Sequence, residues 1–78
     1  MTDYIVDITE LKKYMVEKKL DKVISLSEAS GIDRNILGLI LNGKVRPSER
    51  VMSALIKTLE IPTNKAGSIF FKPNLLNA

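Results

Sequence analysis

Residues 22–44 of the 78-residue chain read KVISLSEASGIDRNILGLILNGK, and this stretch decides the fold. Asp21, just before it, can cap a helix that runs through Ser30, and Gly31 can end that helix because glycine readily takes a positive φ. Asp33 can cap a second helix over residues 34–41, which Asn42-Gly43 ends. Two helices joined by so short a turn are predicted to cross at a steep angle.

The remaining elements follow from helix caps and apolar spacing. Asp7 with Glu10 three residues later matches a capping box, so a helix is expected from there to about Lys19. Ser48 can cap a helix that runs through about Leu59, and Pro62-Thr63 begins a short fifth turn or helix. The sequence therefore predicts one all-α domain over residues 1–78, with four or five helices.

Strand character is confined to the two ends of the chain. Residues 4–6 and 69–71 are rich in β-branched and aromatic side chains. Pro73 disfavours helix in the residue before it, so a short extended C-terminal tail is expected over about residues 69–78.

The predicted core consists of apolar residues that recur at helical spacing on the inner faces of these helices. They are Leu26, Ile32, Leu37, Ile40, Val51, Leu55 and Leu59.

Composition excludes most catalytic and metal sites. The chain has no cysteine and no histidine, which excludes a disulfide framework, thiol catalysis, a Ser-His-Asp triad and the usual zinc and haem ligand sets. No apolar run approaches the ~20 residues needed to cross a bilayer, and the first residues lack the pattern of a signal peptide. We expect a cytoplasmic, non-enzymatic protein with no cofactor, no metal, no membrane and no small-molecule substrate.

The net charge of +3 is unevenly distributed. Residues 1–10 carry three acidic side chains, whereas residues 11–50 carry nine Lys/Arg against five Asp/Glu. A basic excess in the middle of a small domain is compatible with nucleic acid, although many soluble proteins share it.

The pattern of residues about 22–42 resembles the lambda-repressor/Cro-like (XRE) helix-turn-helix family, particularly small regulators of Gram-positive phages. Ser27 is small where the two helices cross, Gly31 makes the turn, Ile32 plugs the space beneath it, and Leu37 and Ile40 face the core. The resemblance covers roughly residues 8–61. It implies a compact helix-turn-helix domain whose second helix enters the major groove of operator DNA.

The resemblance also implies which residues meet DNA. Arg34 and Asn35 match the first reading positions and suit guanine and adenine respectively, whereas Leu39 can meet only a thymine methyl. Gly38, a candidate base contact beside Leu39, has two explanations: close packing against a neighbouring element, or room for a base or backbone to approach. The residues implied to contact the phosphate backbone are Lys22, Asn42, Lys44 and Arg46. The family typically has glutamine where this chain has Val23.

A second hypothesis follows from the apolar character of this surface. Val23, Ile36 and Leu39 could form one patch that meets protein rather than DNA. The chain would then keep the fold but act as an antirepressor, binding a partner phage repressor and blocking its access to DNA. The first hypothesis is a Cro-like transcription regulator of a phage or prophage genetic switch.

The C-terminal tail bears on the oligomeric state. Phe70 and Phe71, with Leu75 and Leu76, could fold back over the helices or pair with a second copy of the chain. A homodimer through this tail would offset a thin core and would present two recognition helices to two half-sites.

Overall fold

Five helices and one two-stranded sheet make up residues 4–74, the part of the chain that this computed structural model describes. The elements are β1 (Tyr4–Ile5), α1 (Ile8–Glu17), α2 (Val23–Ser30), α3 (Arg34–Leu41), α4 (Glu49–Leu59), α5 (Thr63–Phe70) and β2 (Lys72–Pro73). The strands are short and antiparallel, and Tyr4 pairs with Pro73. The predicted all-α class is confirmed.

Three of the four predicted helix caps are present. The carboxylate of Asp7 accepts the N–H of Glu10 at 3.2 Å, and the Ser48 hydroxyl accepts the N–H of Val51 at 3.3 Å. The carboxylate of Asp33 accepts the N–H groups of Asn35 and Ile36 at 2.8 and 3.3 Å. Each cap satisfies a backbone donor that a helix otherwise leaves without a partner.

The N-terminus of α2 and the C-terminus of α1 differ from prediction. Lys22, not Asp21, is the N-cap of α2, and no side chain caps the helix. Asp21 lies one residue too early to reach the free N–H groups of the first turn. α1 ends at Glu17 rather than near Lys19, because Lys19 takes a left-handed φ of 58° and turns the chain.

The core lies between α1, α2, α3, α4 and α5. Six of the seven predicted core residues are buried, and Val51 packs against them half-buried. The other buried apolar residues are Leu11, Met15, Ile61, Ile69 and Phe70.

Lys18 and Glu60 form an exposed ion pair between the ends of α1 and α4, and the Lys18 ammonium lowers the pKa of Glu60 by hydrogen bonding and charge.

The turn between α2 and α3 is held by a local network. Gly31 takes a φ of 77° and its N–H donates to the Ser27 carbonyl at 2.8 Å. The Ser27 hydroxyl donates to the carbonyl of Ile32, whose side chain is buried beneath the turn. These contacts set the angle at which α3 leaves α2, as the spacing around Gly31 predicts.

The predicted extended tail is wrong at its start. α5 continues through Phe70, and Lys72–Pro73 is extended. Pro73 restricts the residue immediately before it, so Ile69 and Phe70 remain free to be helical and to enter the core. Phe70 is 1% exposed, which agrees with the predicted packing over the helices and leaves its side chain no surface for a second copy. Leu75 and Leu76 lie outside the described residues.

Candidate nucleic-acid interface

α3 presents one face to the core and the other to solvent. Leu37 and Ile40 are buried, whereas Arg34, Asn35 and Leu39 are exposed. At 100° per residue, Asn35 and Leu39 lie only about 40° apart on the helix surface, so they share one outward stripe. Arg34 lies at the edge of this stripe, beside Gly38.

Asp33 determines where α3 begins and which side chains its first turn projects. Its carboxylate accepts backbone N–H groups at the start of α3, so Arg34 and Asn35 occupy the first two helical positions. With the Gly31 turn on one side and Leu37 anchored in the core on the other, both polar side chains project from a well-supported helix start. A group that reads base edges needs such support.

Lys22, Asn42 and Lys44 are exposed at the ends of the two helices. Lys22 stands at the start of α2, and Asn42 is the C-cap of α3, with its N–H on the Gly38 carbonyl at 3.0 Å. The Lys44 N–H donates to the Leu39 carbonyl at 2.8 Å, which holds the loop against the end of α3. These positions are suited to phosphate contacts, because their side chains reach into solvent from a fixed backbone.

Arg46, which is predicted to contact phosphate, makes contacts within the protein. Its guanidinium donates to the backbone carbonyls of Tyr4 and Phe70, at 3.4 Å for the latter, and lies 5.6 Å from the centre of the Phe71 ring. The Tyr4 and Phe71 rings meet edge to face at 6.1 Å. Arg46 therefore ties the loop after α3 to both ends of the described chain through these two carbonyls.

We expect Arg46→Ala to lower the free energy of unfolding by about 1–3 kcal/mol, because it removes two hydrogen bonds and a cation–π contact. Arg46→Lys is expected to recover little of this lost stability, since an ammonium group cannot reproduce the paired N–H donors of the planar guanidinium. Urea unfolding measures the change. Lys44→Ala, which removes the same charge from the same loop, serves as the control and is expected to unfold like the wild type. If Arg46→Ala were as stable as the wild type, the contacts of Arg46 with Tyr4, Phe70 and Phe71 would contribute nothing to the free energy of unfolding.

Gly38 is a helical position with open space beside it. A Cβ built there meets nothing within 4 Å outside the helix's own backbone. Close packing against a neighbouring element, one of the two predicted explanations for this glycine, is therefore wrong for the described chain. Room for an approaching partner remains as the other explanation.

Gly38→Ala is expected to stabilise the protein by about 0.5–1 kcal/mol, because alanine loses less backbone freedom in a helix. For a domain of this size the thermal midpoint should rise by about 2–8 °C. Circular dichroism melting measures it, with Gly31→Ala as the opposite control because Gly31 has a left-handed φ of 77°. A lower midpoint for Gly38→Ala would mean that the added methyl group meets an obstacle.

The three residues predicted as an apolar protein-binding patch are not equivalent. Val23 is half-buried and packs against the core, so it is not part of an exposed patch. Ile36 is 43% exposed and lines a cleft with Ser48 and Val51 at the start of α4. Leu39, also 43% exposed, lies on the outward stripe of α3.

The sequence interpretation missed Ile24. This residue is 48% exposed and shares a shallow cleft with Arg34 between α2 and the start of α3. A signal was present, because adjacent helical residues point 100° apart and Val23 and Ile24 cannot both face the core. Choosing between them required the position of α2 against α4, which the sequence did not provide.

Within residues 4–74, no group of acidic, histidine or cysteine side chains could hold a metal ion. No helix in that same part of the chain is long and apolar enough to cross a membrane.

Comparison with known proteins agrees with the geometry of α2 and α3. A family model described as helix-turn-helix matches residues 11–65, which span all of α2, α3 and α4. Neither a curated protein nor a solved structure matches the chain.

Proposed function

Since the chain belongs to the lambda-repressor/Cro-like (XRE) helix-turn-helix family of DNA-binding transcription regulators, we propose that it is a sequence-specific, Cro-like regulator of a phage or prophage genetic switch. It acts on operator DNA in the cytoplasm of a bacterial host. α3 enters the major groove, and the core-facing side of the helix keeps it in one orientation.

The observation that carries the proposal is the exposure of Arg34 and Asn35 at the capped start of α3. Arginine offers paired donors that match guanine O6 and N7, and asparagine offers a donor and an acceptor that match adenine N6 and N7. Gly38 and Leu39 follow on the same side of the helix and complete the base-contacting surface.

Lys22, Asn42 and Lys44 contact the phosphate backbone on either side of this helix. Their contribution is electrostatic or through hydrogen bonds to phosphate oxygens, and it carries no sequence information. Arg46 is left out of this set because its guanidinium already binds two backbone carbonyls.

The regulator binds as a homodimer, with half-sites about one helical turn apart. Support for an interface comes from four apolar side chains that are each 40–46% exposed: Tyr4, Ile5 and Phe71 near the ends of the described chain, and Val45 in the loop after α3. Phe71 keeps its proposed part in this interface, and Phe70 does not.

The antirepressor hypothesis depended on a continuous apolar face for a partner phage repressor. The packing of Val23 against the core removes one of the three side chains from that face, and Ile36 lines a cleft at the start of α4. Single exposed apolar residues are ordinary on a protein surface. The geometry therefore supports DNA reading better than repressor capture.

Selection from a random duplex library at near-physiological salt tests the proposal. We expect a short motif with two-fold symmetry to be enriched. Recovery of unrelated sequences, with affinity that collapses as salt rises, would mean that the basic residues bind phosphate without reading bases and would overturn the proposal.

A further inference from the structure

The loop after α3, residues 42–48, carries Asn42 and Lys44, two of the proposed phosphate contacts. Backbone hydrogen bonds fix its start, where the N–H groups of Gly43 and Lys44 donate to carbonyls of α3 at 3.0 and 2.8 Å. Gly43 has a φ of 72° and no side chain, so the chain can pivot immediately before Lys44. The course of the loop beyond this pivot therefore depends on what holds its far side.

Arg46 is the anchor on the far side of this loop. Its guanidinium donates to the carbonyls of Tyr4 and Phe70 and lies 5.6 Å from the centre of the Phe71 ring. The Phe70 side chain is 1% exposed, so this carbonyl belongs to a residue that is held in the core. The antiparallel pairing of β1 with β2 joins the two ends of the described chain to each other. The loop is thus attached to two parts of the structure that support one another.

The short spacing between Arg46 and Lys44 transmits this attachment. Two residues span at most about 7 Å, so the Cα atom of Lys44 stays close to the anchored Arg46. A side chain on a fixed backbone loses less conformational freedom on binding than one on a mobile loop. Loss of the anchor would therefore weaken a phosphate contact of Lys44 without removing its charge.

A direct phosphate contact is the other way in which Arg46 could strengthen DNA binding. The two roles require different chemistry at this position. A phosphate contact requires a positive charge, which lysine also supplies, whereas binding two separate carbonyls requires the planar fork of donors that arginine has. Both terminal nitrogens of Arg46 already donate to carbonyls, which favours the second role.

We propose that Arg46 is a positioning residue for DNA binding, which holds Asn42 and Lys44 in place for their phosphate contacts by binding backbone carbonyls at both ends of the described chain. The inference rests on the proposed function, from which it takes the phosphate contacts. It adds a determinant of affinity that itself touches no DNA.

A double-mutant cycle between Arg46 and Lys44 tests this inference. Dissociation constants are measured by fluorescence anisotropy on the selected operator and on an unrelated duplex. One phosphate contact corresponds to about an eightfold change in affinity at 0.1 M salt. We expect Lys44→Ala to weaken binding by about this factor per bound copy of the chain in the wild type. In the Arg46→Ala background the same change should cost less than about twofold, because the loop no longer presents Lys44.

Lys22→Ala is the matched control, since Lys22 is proposed to contact phosphate from the start of α2 rather than from this loop. Its factor should be the same in the wild type and in Arg46→Ala. Both lysines are exposed, so a folded fraction that Arg46→Ala reduces affects each pair of proteins alike and cancels from each factor. Arg46→Lys repeats the cycle with the charge retained and should behave like Arg46→Ala.

Three results would contradict the inference and leave the sequence-specific regulator standing. Equal Lys44 factors in the two backgrounds would show that Arg46 does not position Lys44. Full affinity in Arg46→Lys, with a loss in Arg46→Ala, would make Arg46 a phosphate contact itself. Loss of the Lys22 factor as well would mean that Arg46→Ala disrupts the whole DNA-binding surface.

Failure of the proposed function gives a different pattern. If no motif is selected but the cycle on the unrelated duplex shows the expected coupling, sequence-specific regulation is overturned and the positioning role of Arg46 stands. If neither duplex is bound, both are overturned.

Discussion

Replacing Phe70 by alanine is expected to lower the free energy of unfolding by about 3–5 kcal/mol. The side chain is 1% exposed, at the last position of α5, and belongs to the buried core cluster. Its removal would take a large aromatic surface out of the core and leave a cavity that a small domain can fill only in part. Because native proteins are stable by only about 5–15 kcal/mol in total, this loss would remove a large part of the stability. Urea unfolding followed by circular dichroism measures the loss.

Phe71 offers a control of the same residue type at the next position. It is 46% exposed and contacts Tyr4 and the Arg46 guanidinium. Phe71→Ala is therefore expected to cost about 0.5–1.5 kcal/mol, the range of one aromatic pair. Equal losses in the two variants would contradict the assignment of Phe70 to the core. A fully stable Phe70→Ala protein that no longer self-associates would return Phe70 to the dimer interface.

Replacing Arg34 by alanine is expected to reduce affinity for the selected operator about 5- to 150-fold per half-site, because one bidentate contact to a base contributes about 1–3 kcal/mol of discrimination. The loss should fall on one base pair in each half-site, where any base would then be accepted. Repeating the selection with the variant, alongside anisotropy titrations on operators changed at single positions, measures both effects. The fold should be unaffected, since Arg34 is exposed and the Asp33 cap uses only backbone N–H groups of α3.

Lys44→Ala is the control for this prediction, because Lys44 is proposed to contact phosphate and not a base. A lost phosphate contact should weaken binding to all sequences by a similar factor and reduce the slope of log affinity against log salt by about one ion. Arg34→Ala should instead change sequence preference. If Arg34→Ala also weakened all sequences equally, Arg34 would be a phosphate contact, and the reading of bases would have to lie elsewhere on α3.

The ends of the described chain and the proposed DNA-facing surface are physically connected in this domain. Arg46 follows the loop that carries Asn42 and Lys44, and its guanidinium binds carbonyls at both ends of the described chain. The antiparallel pair of β1 and β2 and the 2.7 Å hydrogen bond from Asp7 to Ile69 hold those ends together. The ends of the chain therefore contribute to the support of the loop after the recognition helix.

Much of the fold could be predicted from local sequence signals. The caps at Asp7, Asp33 and Ser48 are hydrogen bonds to backbone groups two or three residues away, so they depend on little beyond the neighbouring residues. The Gly31 turn has the same local origin, because its left-handed φ favours glycine whatever surrounds it. The exposure of Arg34, Asn35 and Leu39 followed from helical periodicity once Leu37 and Ile40 were assigned to the core.

Contacts between distant residues were decided by the tertiary structure. Arg46 binds groups 42 and 24 residues away in the chain, and nothing near it in sequence distinguishes an arginine that binds backbone carbonyls from one that has no contact within the protein. Phe70 and Phe71 are adjacent and identical, yet only one faces the core, because α5 continues to Phe70 and packs there. The sequence by itself determined that the helices form, that a turn separates α2 from α3 and that α3 has a polar start. The interactions responsible join residues only a few positions apart in the chain. The packing of the elements against one another decided which apolar and basic side chains remain exposed and available to a partner. The burial of a side chain depends on all of its neighbours at once, including those distant in sequence.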